Sequence, residues 1–185
     1  MNSFLRFKKI EIPQGTLCGV ISDTHSTFLD DDTERTINNY FSNISTILHL
    51  GDVTHPSVIN DLEALGYTVH AVLGNNDRLL ASPHVIIIES GPFNIAMIHG
   101  GGGGYQTVEN RALRIVRTLY SGPIDCLMYG HTHVPRDHFR DGIRFLNPGS
   151  LCYPREDIES LFPPVPHAAF FSTDSDGINF DIFTV

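Results

Sequence analysis

Leu17-Cys18-Gly19-Val20-Ile21-Ser22-Asp23-Thr24-His25 and Ile47-Leu48-His49-Leu50-Gly51-Asp52 share one pattern. A short, mostly apolar run stops at a small residue and then presents an acid or a histidine. Three further stretches repeat it. Thr68 to Leu73 leads into Gly74-Asn75-Asn76-Asp77, Ile95 to Ile98 into His99-Gly100, and Cys126 to Tyr129 into Gly130-His131-Thr132-His133. Runs of this length and composition read as buried strands. In α/β sheets, ligands bind outside the carboxyl ends of the strands. Five motifs distant in sequence are therefore expected to meet in one crevice.

The segments between these runs fit an α/β reading. Ile37, Tyr40, Phe41 and Ile44 fall at i, i+3, i+4 and i+7 and predict a helix capped by Asp32 or Thr33. Pro56 suits a first helical turn, Val58, Leu62 and Leu65 give a second helix its apolar face, and Gly66 closes it. Val85 to Ile88 and Phe93 to Ile98 read as strands around the Ser90-Gly91-Pro92 turn. Val108, Ala112, Ile115, Val116 and Leu119 stripe a third helix. The last third is mainly β. Arg136 to Arg140 and Ile143 to Leu146 flank Asp141-Gly142, and Ala168 to Thr173 and Ile178 to Phe183 flank the turn at Asp174 to Gly177. Residues 1–185 read as one domain. Residues 1–15 form an N-terminal extension with an edge strand near Ile10 and Ile12, and residues 155–166, holding Pro163, Pro164 and Pro166, form a loop.

The net charge of −9 and pI near 5.4 disfavour stable nucleic-acid binding, because an acidic surface repels phosphate backbones. A small anionic substrate remains compatible if bound metal makes the site locally positive. Cys18, Cys126 and Cys152 are odd in number and far apart, so free thiols in a reducing compartment are expected. No apolar run reaches the length of a membrane span, and Arg6, Lys8 and Lys9 interrupt the only apolar N-terminal residues. The expectation is a cytoplasmic protein without a membrane segment.

The ten histidines are an excess, and imidazole is the commonest metal-ligating side chain. The strand-end motifs supply two carboxylates (Asp23, Asp52), four imidazoles (His25, His99, His131, His133) and one amide oxygen (Asn75). That set exceeds what one tetrahedral ion needs and contains no thiolate, so it suits two borderline divalent ions sharing a bridging group. Two such ions about 3.5–4 Å apart polarise a phosphoryl group and generate hydroxide near neutral pH. Among the other histidines, His49 and His70 lie in strands, and His84, His138 and His167 read as surface residues. His55, three residues beyond Asp52, is a candidate to line the pocket. Asp77 is expected to orient a ligand histidine, and Arg78 either to touch a phosphate or to sit in solvent. The run Gly100 to Gly104 lacks a following G-K-[ST], so it is no nucleotide loop. It lets the backbone pass close to the site or flex over it.

Taken in order, D-x-H, G-D, G-N-x-D, H-G and G-H-x-H resemble the calcineurin-like metallophosphoesterases, most closely their small single-domain microbial phosphodiesterase branch. The resemblance runs from Leu17 to about Arg155 and includes Leu146-Asn147-Pro148-Gly149-Ser150. It implies a four-layer α-β-β-α sandwich of two facing mixed sheets with helices outside, and a dinuclear metal site at strand C-terminal ends. Asp23, His25 and His133 would hold the first metal, Asn75, His99 and His131 the second, and Asp52 would bridge them. Manganese or nickel is implied first, with iron or zinc as alternatives. Larger family members carry a leaving-group histidine directly after the asparagine, where this chain has Asn76. The expected activity is a phosphodiesterase acting on a small diester by in-line attack of a hydroxide between the metals. Asp52, Asn75 and His99 would be catalytic, and Asn76, Arg78 and His55 would bind substrate. A phosphomonoesterase or nucleotidase on the same site, and a non-catalytic interaction scaffold of the same fold, are the alternatives. Relatives in that branch self-associate, so a homo-oligomer is a further expectation.

Overall fold

A computed structural model describes residues 5–185. The strands are β1 (Phe7–Glu11), β2 (Cys18–Ile21), β3 (Thr46–His49), β4 (Thr68–Ala71), β5 (Val85–Ser90), β6 (Phe93–Ile98), β7 (Cys126–Tyr129), β8 (Arg136–Arg140), β9 (Ile143–Asn147), β10 (His167–Thr173) and β11 (Ile178–Thr184). The helices are α1 (Asp31–Phe41), α2 (Pro56–Ala64) and α3 (Val108–Leu119), the last preceded by a 3₁₀ turn at Tyr105–Thr107. The strands form a six-stranded sheet, ordered β1-β5-β6-β7-β9-β8, and a five-stranded sheet, ordered β11-β10-β2-β3-β4. Both are mixed: β2, β3 and β4 run parallel, as do β6 and β7, while the hairpins at the edges are antiparallel.

The sheets face each other because their central strands are apolar on both sides. Ile86 and Ile88 of β5 point to the seam between the sheets, where they pack with Val20, Leu48, Met97, Met128 and Phe171. Val85 and Ile87 point the other way, against Val108, Ala112 and Val116 of α3. On the far side of the molecule Ile21 and Ile47 pack under Ile37 and Phe41 of α1 and Val58 and Leu62 of α2. The period-two alternation within each strand therefore dictates four layers, helix on sheet on sheet on helix.

Register decides where the strands stop. Ile21 lies opposite His49, and His49 opposite Ala71, so β2, β3 and β4 end level with one another. Ile98 lies opposite Tyr129, so β6 and β7 do the same. The five strand-end motifs emerge from these ends.

Several local expectations are corrected. The cap of α1 is Asp30, whose carboxylate accepts from the Thr33 N–H at 2.8 Å, not Asp32 or Thr33. The helix stops at Phe41, and Ile44 packs on the same cluster from the loop beyond. Leu17 lies outside β2 and is 43% exposed. The N-terminal strand pairs parallel with β5, with Ile10 opposite Ile88, and closes one edge of the six-stranded sheet. Residues 155–166 contain no helix or strand, as their prolines imply. His167 is buried, not a surface residue. The three cysteines are free, and no helix among the described residues is long and apolar enough to cross a membrane.

Leu48 is fully buried at the centre of the seam. Leu48→Ala should cost about 2–5 kcal/mol of stability by leaving a cavity between two rigid sheets. Urea unfolding of the two proteins measures it, and a loss well under 1 kcal/mol would contradict this packing.

Candidate metal centre

Two carboxylates anchor the strand ends. Asp23 is fully buried, and its Oδ2 is engaged twice, by the Ser22 hydroxyl at 2.5 Å and by the His131 backbone N–H at 3.1 Å. Its Oδ1 has no hydrogen bond at all. That oxygen faces three imidazole nitrogens: His133 Nε2 at 3.3 Å, His25 Nε2 at 3.7 Å and His99 Nε2 at 4.0 Å. Asp52 Oδ1 accepts the Asn76 backbone N–H at 2.8 Å, and its Oδ2 accepts the Asn76 side-chain N–H at 2.7 Å. Asp52 Oδ2 also lies 3.6 Å from His25 Nε2 and 3.3 Å from His99 Nε2.

The imidazoles are oriented from behind. His99 Nδ1 donates to the Leu50 carbonyl at 2.8 Å, and His133 Nδ1 donates to the Tyr153 carbonyl at 2.6 Å. His131 uses Nε2 for the Gly103 carbonyl at 3.2 Å. A neutral imidazole that donates from one nitrogen offers a lone pair at the other. His99 Nε2 then points at Asn75 Oδ1, 3.1 Å away, and at Asp52 Oδ2, and His133 Nε2 faces His25 Nε2 at 3.2 Å. Electron-rich atoms crowded this closely repel one another unless something positive lies among them.

Two groups emerge that could each hold a metal ion. The ligand atoms of Asp23, His25 and His133 lie within 4.8 Å of one another, and so do those of Asp52, His99 and His131. Asn75 joins the second group through His99. The residues fit two cations on three observations: a buried carboxylate oxygen without a donor, imidazoles turned by carbonyls so that a lone pair faces inward, and a donor set of nitrogen and oxygen only.

Charge within the centre is strongly coupled. Burial pushes Asp23 and Asp52 up, but the neighbouring imidazoles, together with Asn76 at Asp52, outweigh it and hold both below the usual carboxylate range. Burial pulls His99 and His133 down, but the carboxylates beside them win and both sit above the ordinary imidazole value. At His25 and His131 burial dominates and the shift is downward.

The backbone is contorted where the ligand side chains leave it. Asp23, His25, Asp52, His131 and His133 all have positive φ, between 47° and 68°. Such residues cluster at functional sites, where surrounding structure holds them in place. Here the holding bonds are Asp23 N–H to the Gly51 carbonyl at 3.0 Å and His25 N–H to the Asp52 carbonyl at 2.9 Å. Gly74 is required beside them, because a Cβ there would collide with the Asp52 backbone nitrogen and Oδ1.

The residues expected around the seven fare differently. Asn76 is at the centre, but its amide is committed to Asp52. His55 caps α2, with Nδ1 accepting from the Ser57 N–H at 3.2 Å, and it is not among the clustered imidazoles. Arg78 is exposed and makes no side-chain hydrogen bond or ion pair among the described residues. Asp77 does not orient a histidine. It staples two loops instead, accepting from the Thr54 N–H at 2.5 Å and the Gly74 N–H at 2.7 Å. The carbonyls of Leu50, Gly103 and Tyr153 are the partners that side-chain motifs do not advertise.

Residues 17–165 match the family model of the calcineurin-like phosphoesterase superfamily domain. The chain belongs to that metal-dependent family. It is 38% identical over 146 residues to a probable metallophosphoesterase of Methanocaldococcus jannaschii, covering 78% of this chain and 73% of that protein. A second protein of that organism, named a phosphodiesterase, is 28% identical over 148 residues, or 72% and 83% of the two chains. Among solved structures, a predicted phosphoesterase from Streptococcus pneumoniae TIGR4 superposes with a TM-score of 0.67 at 26% identity, covering 91% of this chain and 89% of that one. Vps29 from Entamoeba histolytica, in a double-mutant form, shares the fold with a TM-score of 0.63 at 22% identity, covering 92% and 99%.

His49 sits directly beneath the centre. It is fully buried, its Nδ1 accepting from the Gly51 N–H at 3.2 Å and its Nε2 reaching the Thr24 hydroxyl at 3.1 Å. Burial depresses its pKa from 6.5 to about 4. The unfolded chain therefore binds a proton between pH 6.5 and 4 that the folded chain rejects. Stability from this group is complete above pH 6.5 and is lost as pH falls towards 4, by a total on the order of 3 kcal/mol. His49→Gln should show a shallower decline in urea stability from pH 7 to pH 5 than the wild type. An identical decline would contradict a buried neutral imidazole.

Proposed function

We propose that this chain is a dinuclear metal-dependent phosphodiesterase. The observation that carries the reading is the buried, donorless Asp23 Oδ1 facing the nitrogens of His25, His99 and His133. On this reading Asp23, His25 and His133 hold one divalent ion, and Asn75, His99 and His131 hold the other. Asp52 serves both, its Oδ2 lying 3.6 Å from His25 and 3.3 Å from His99, a closer approach to the second group than the 4.0 Å from Asp23 Oδ1 to His99. When bound, two such ions supply Lewis-acid polarisation of a phosphoryl oxygen and an activated water near neutral pH. The nitrogen and oxygen donors suit manganese or nickel, with iron or zinc as alternatives.

The chain's own residues prepare the site. Asn76 fixes both oxygens of Asp52, and the Leu50, Gly103 and Tyr153 carbonyls fix the rings of His99, His131 and His133. Arg78 is left free to meet an anionic substrate. No acidic proton comes from position 76, because a neutral amide is not an acid near pH 7. That favours diesters with stable leaving groups over unactivated monoesters, and a relative named a phosphodiesterase points the same way. The complete donor set supports the enzyme reading over a non-catalytic scaffold of this fold.

The purified protein should hydrolyse an aryl phosphodiester, lose the activity on chelation and regain it with Mn²⁺ or Ni²⁺. It should cleave the matched aryl monoester more slowly. Full activity after exhaustive removal of metal would sink the reading, and a monoester rate exceeding the diester rate would replace it with a phosphomonoesterase.

Bound metal per chain separates the two carboxylates. Asp52→Asn should weaken both ions, because a neutral amide bridges two cations poorly. Asp23→Asn should weaken mainly one. Two ions retained in Asp52→Asn at wild-type affinity would rule out the shared role of Asp52.

A further inference from the structure

The run Gly100 to Gly104 crosses directly over one half of the centre. Gly101 lies so close to Asn75 that a Cβ there would collide with the Asn75 side-chain oxygen. Two residues later, the Gly103 carbonyl receives the His131 Nε2–H. The loop thus touches two of the three residues assigned to the second ion. No hydrogen bond joins it to Asp23, His25 or His133.

Five consecutive glycines would leave such a loop without a fixed shape. Its shape comes from Arg111 on α3. The guanidinium Nε donates to the Gly100 and Gly101 carbonyls at 3.0 and 3.1 Å. Nη2 donates to Gly100 at 2.6 Å and Gly103 at 3.4 Å, and Nη1 to Gly104 at 3.2 Å and the Thr107 hydroxyl at 2.9 Å. A guanidinium carries five N–H donors in a rigid planar fork, and here every nitrogen is spent on the loop and the turn that follows. No carboxylate pairs with Arg111 among the described residues. Nothing but carbonyl and hydroxyl oxygens competes for it.

We propose that Arg111 is a positioning residue for one half of the centre: it moulds the Gly100–Gly104 loop so that the Gly103 carbonyl fixes the His131 ring and Gly101 packs against Asn75. Arg111 then sets the affinity of the second ion and leaves the first unaffected. This inference rests on the two-ion reading above. It also makes the loop a braced strut, not a hinge that flexes over the site. A residue two steps removed from a ligand acts through the orientation of that ligand, and loss of such a partner typically costs about 10–100-fold in metal affinity.

The test is a calorimetric Mn²⁺ titration of metal-free wild type, Arg111→Met and Arg111→Lys, with thermal unfolding of the same samples. The wild type should bind two ions. Arg111→Met should keep one at wild-type affinity and bind the other at least about 10-fold more weakly. Arg111→Lys should show the same defect only slightly reduced, because a point-charge ammonium cannot reach four carbonyls as a planar fork does. Gly103→Ala offers an independent route should Arg111→Met fail to fold. Its Cβ would meet Arg111 Nη1 at 2.7 Å and displace the guanidinium from the loop side, with the same selective loss. Two ions bound by the variants at wild-type affinity, or both ions weakened equally, would overturn the role of Arg111 while the two-ion reading stands. A wild type that binds fewer than two ions overturns both.

Discussion

A buried carboxylate oxygen without a hydrogen-bond donor is the constraint around which the rest of the molecule is arranged. Removing a charged group from water costs several kcal/mol unless partners offset it. Asp23 Oδ2 has its partners in Ser22 and His131, but Oδ1 has none. The cost is sustained because Asp23 sits at the end of β2, with an apolar seam on one side of the strand and helix-facing core on the other. A site placed on such rigid strand ends cannot relax by letting the carboxylate swing to solvent. The imidazoles answer instead: His99 and His133 hold protons more tightly than an ordinary histidine because Asp23 and Asp52 face them. In the proposed reading, protons and metal ions compete for the same inward-facing nitrogens, which ties metal uptake to proton release.

The same constraint explains the backbone. Left-handed conformations cost of order 1 kcal/mol or more for residues other than glycine, and asparagine, aspartate and histidine tolerate them best. Asp23 and His25 adopt them on either side of Thr24, and His131 and His133 on either side of Thr132. Spacing by one residue lets both side chains of each pair turn towards the seam between the sheets. The intervening threonines are buried, and Thr24 is tied to His49 beneath. The alternation of D-x-H and H-x-H is thus a consequence of turn geometry as much as of ligand chemistry.

This division explains what can be read from the amino-acid sequence. Apolar runs ended by Gly51 and Gly130 mark buried strands, the run before Gly74 is a half-exposed edge strand and not the buried one its composition suggests, and the level register of β2, β3 and β4 brings their ends together. Hidden were the features that depend on contacts between distant segments. Nothing local to Phe7–Glu11 says that it pairs with β5, since an exposed edge strand has little apolar pattern. His167 reads as a surface residue because its burial comes from neighbours distant in the chain. Asp77 looks like an orienting acid because its partners, the Thr54 and Gly74 N–H groups, are backbone and carry no residue signature. Arg111 was invisible for the same reason: its partners are almost all glycine carbonyls.

Asn76 shows how the centre and the choice of substrate are coupled. Its backbone and side-chain N–H groups clamp the two oxygens of Asp52, whose Oδ2 lies 3.6 Å from His25 Nε2 and 3.3 Å from His99 Nε2. A histidine at this position could keep the side-chain contact only by donating one ring N–H to Asp52. Its other nitrogen would then carry a lone pair, and the neutral ring would have no proton left to give. To act as an acid towards a departing alkoxide it would have to be a full imidazolium, adding a positive charge beside ions already bound. An amide avoids that conflict. It orients the shared carboxylate without charge and leaves the departing group to rely on its own stability, which on the proposed reading is why diesters with good leaving groups suit this centre.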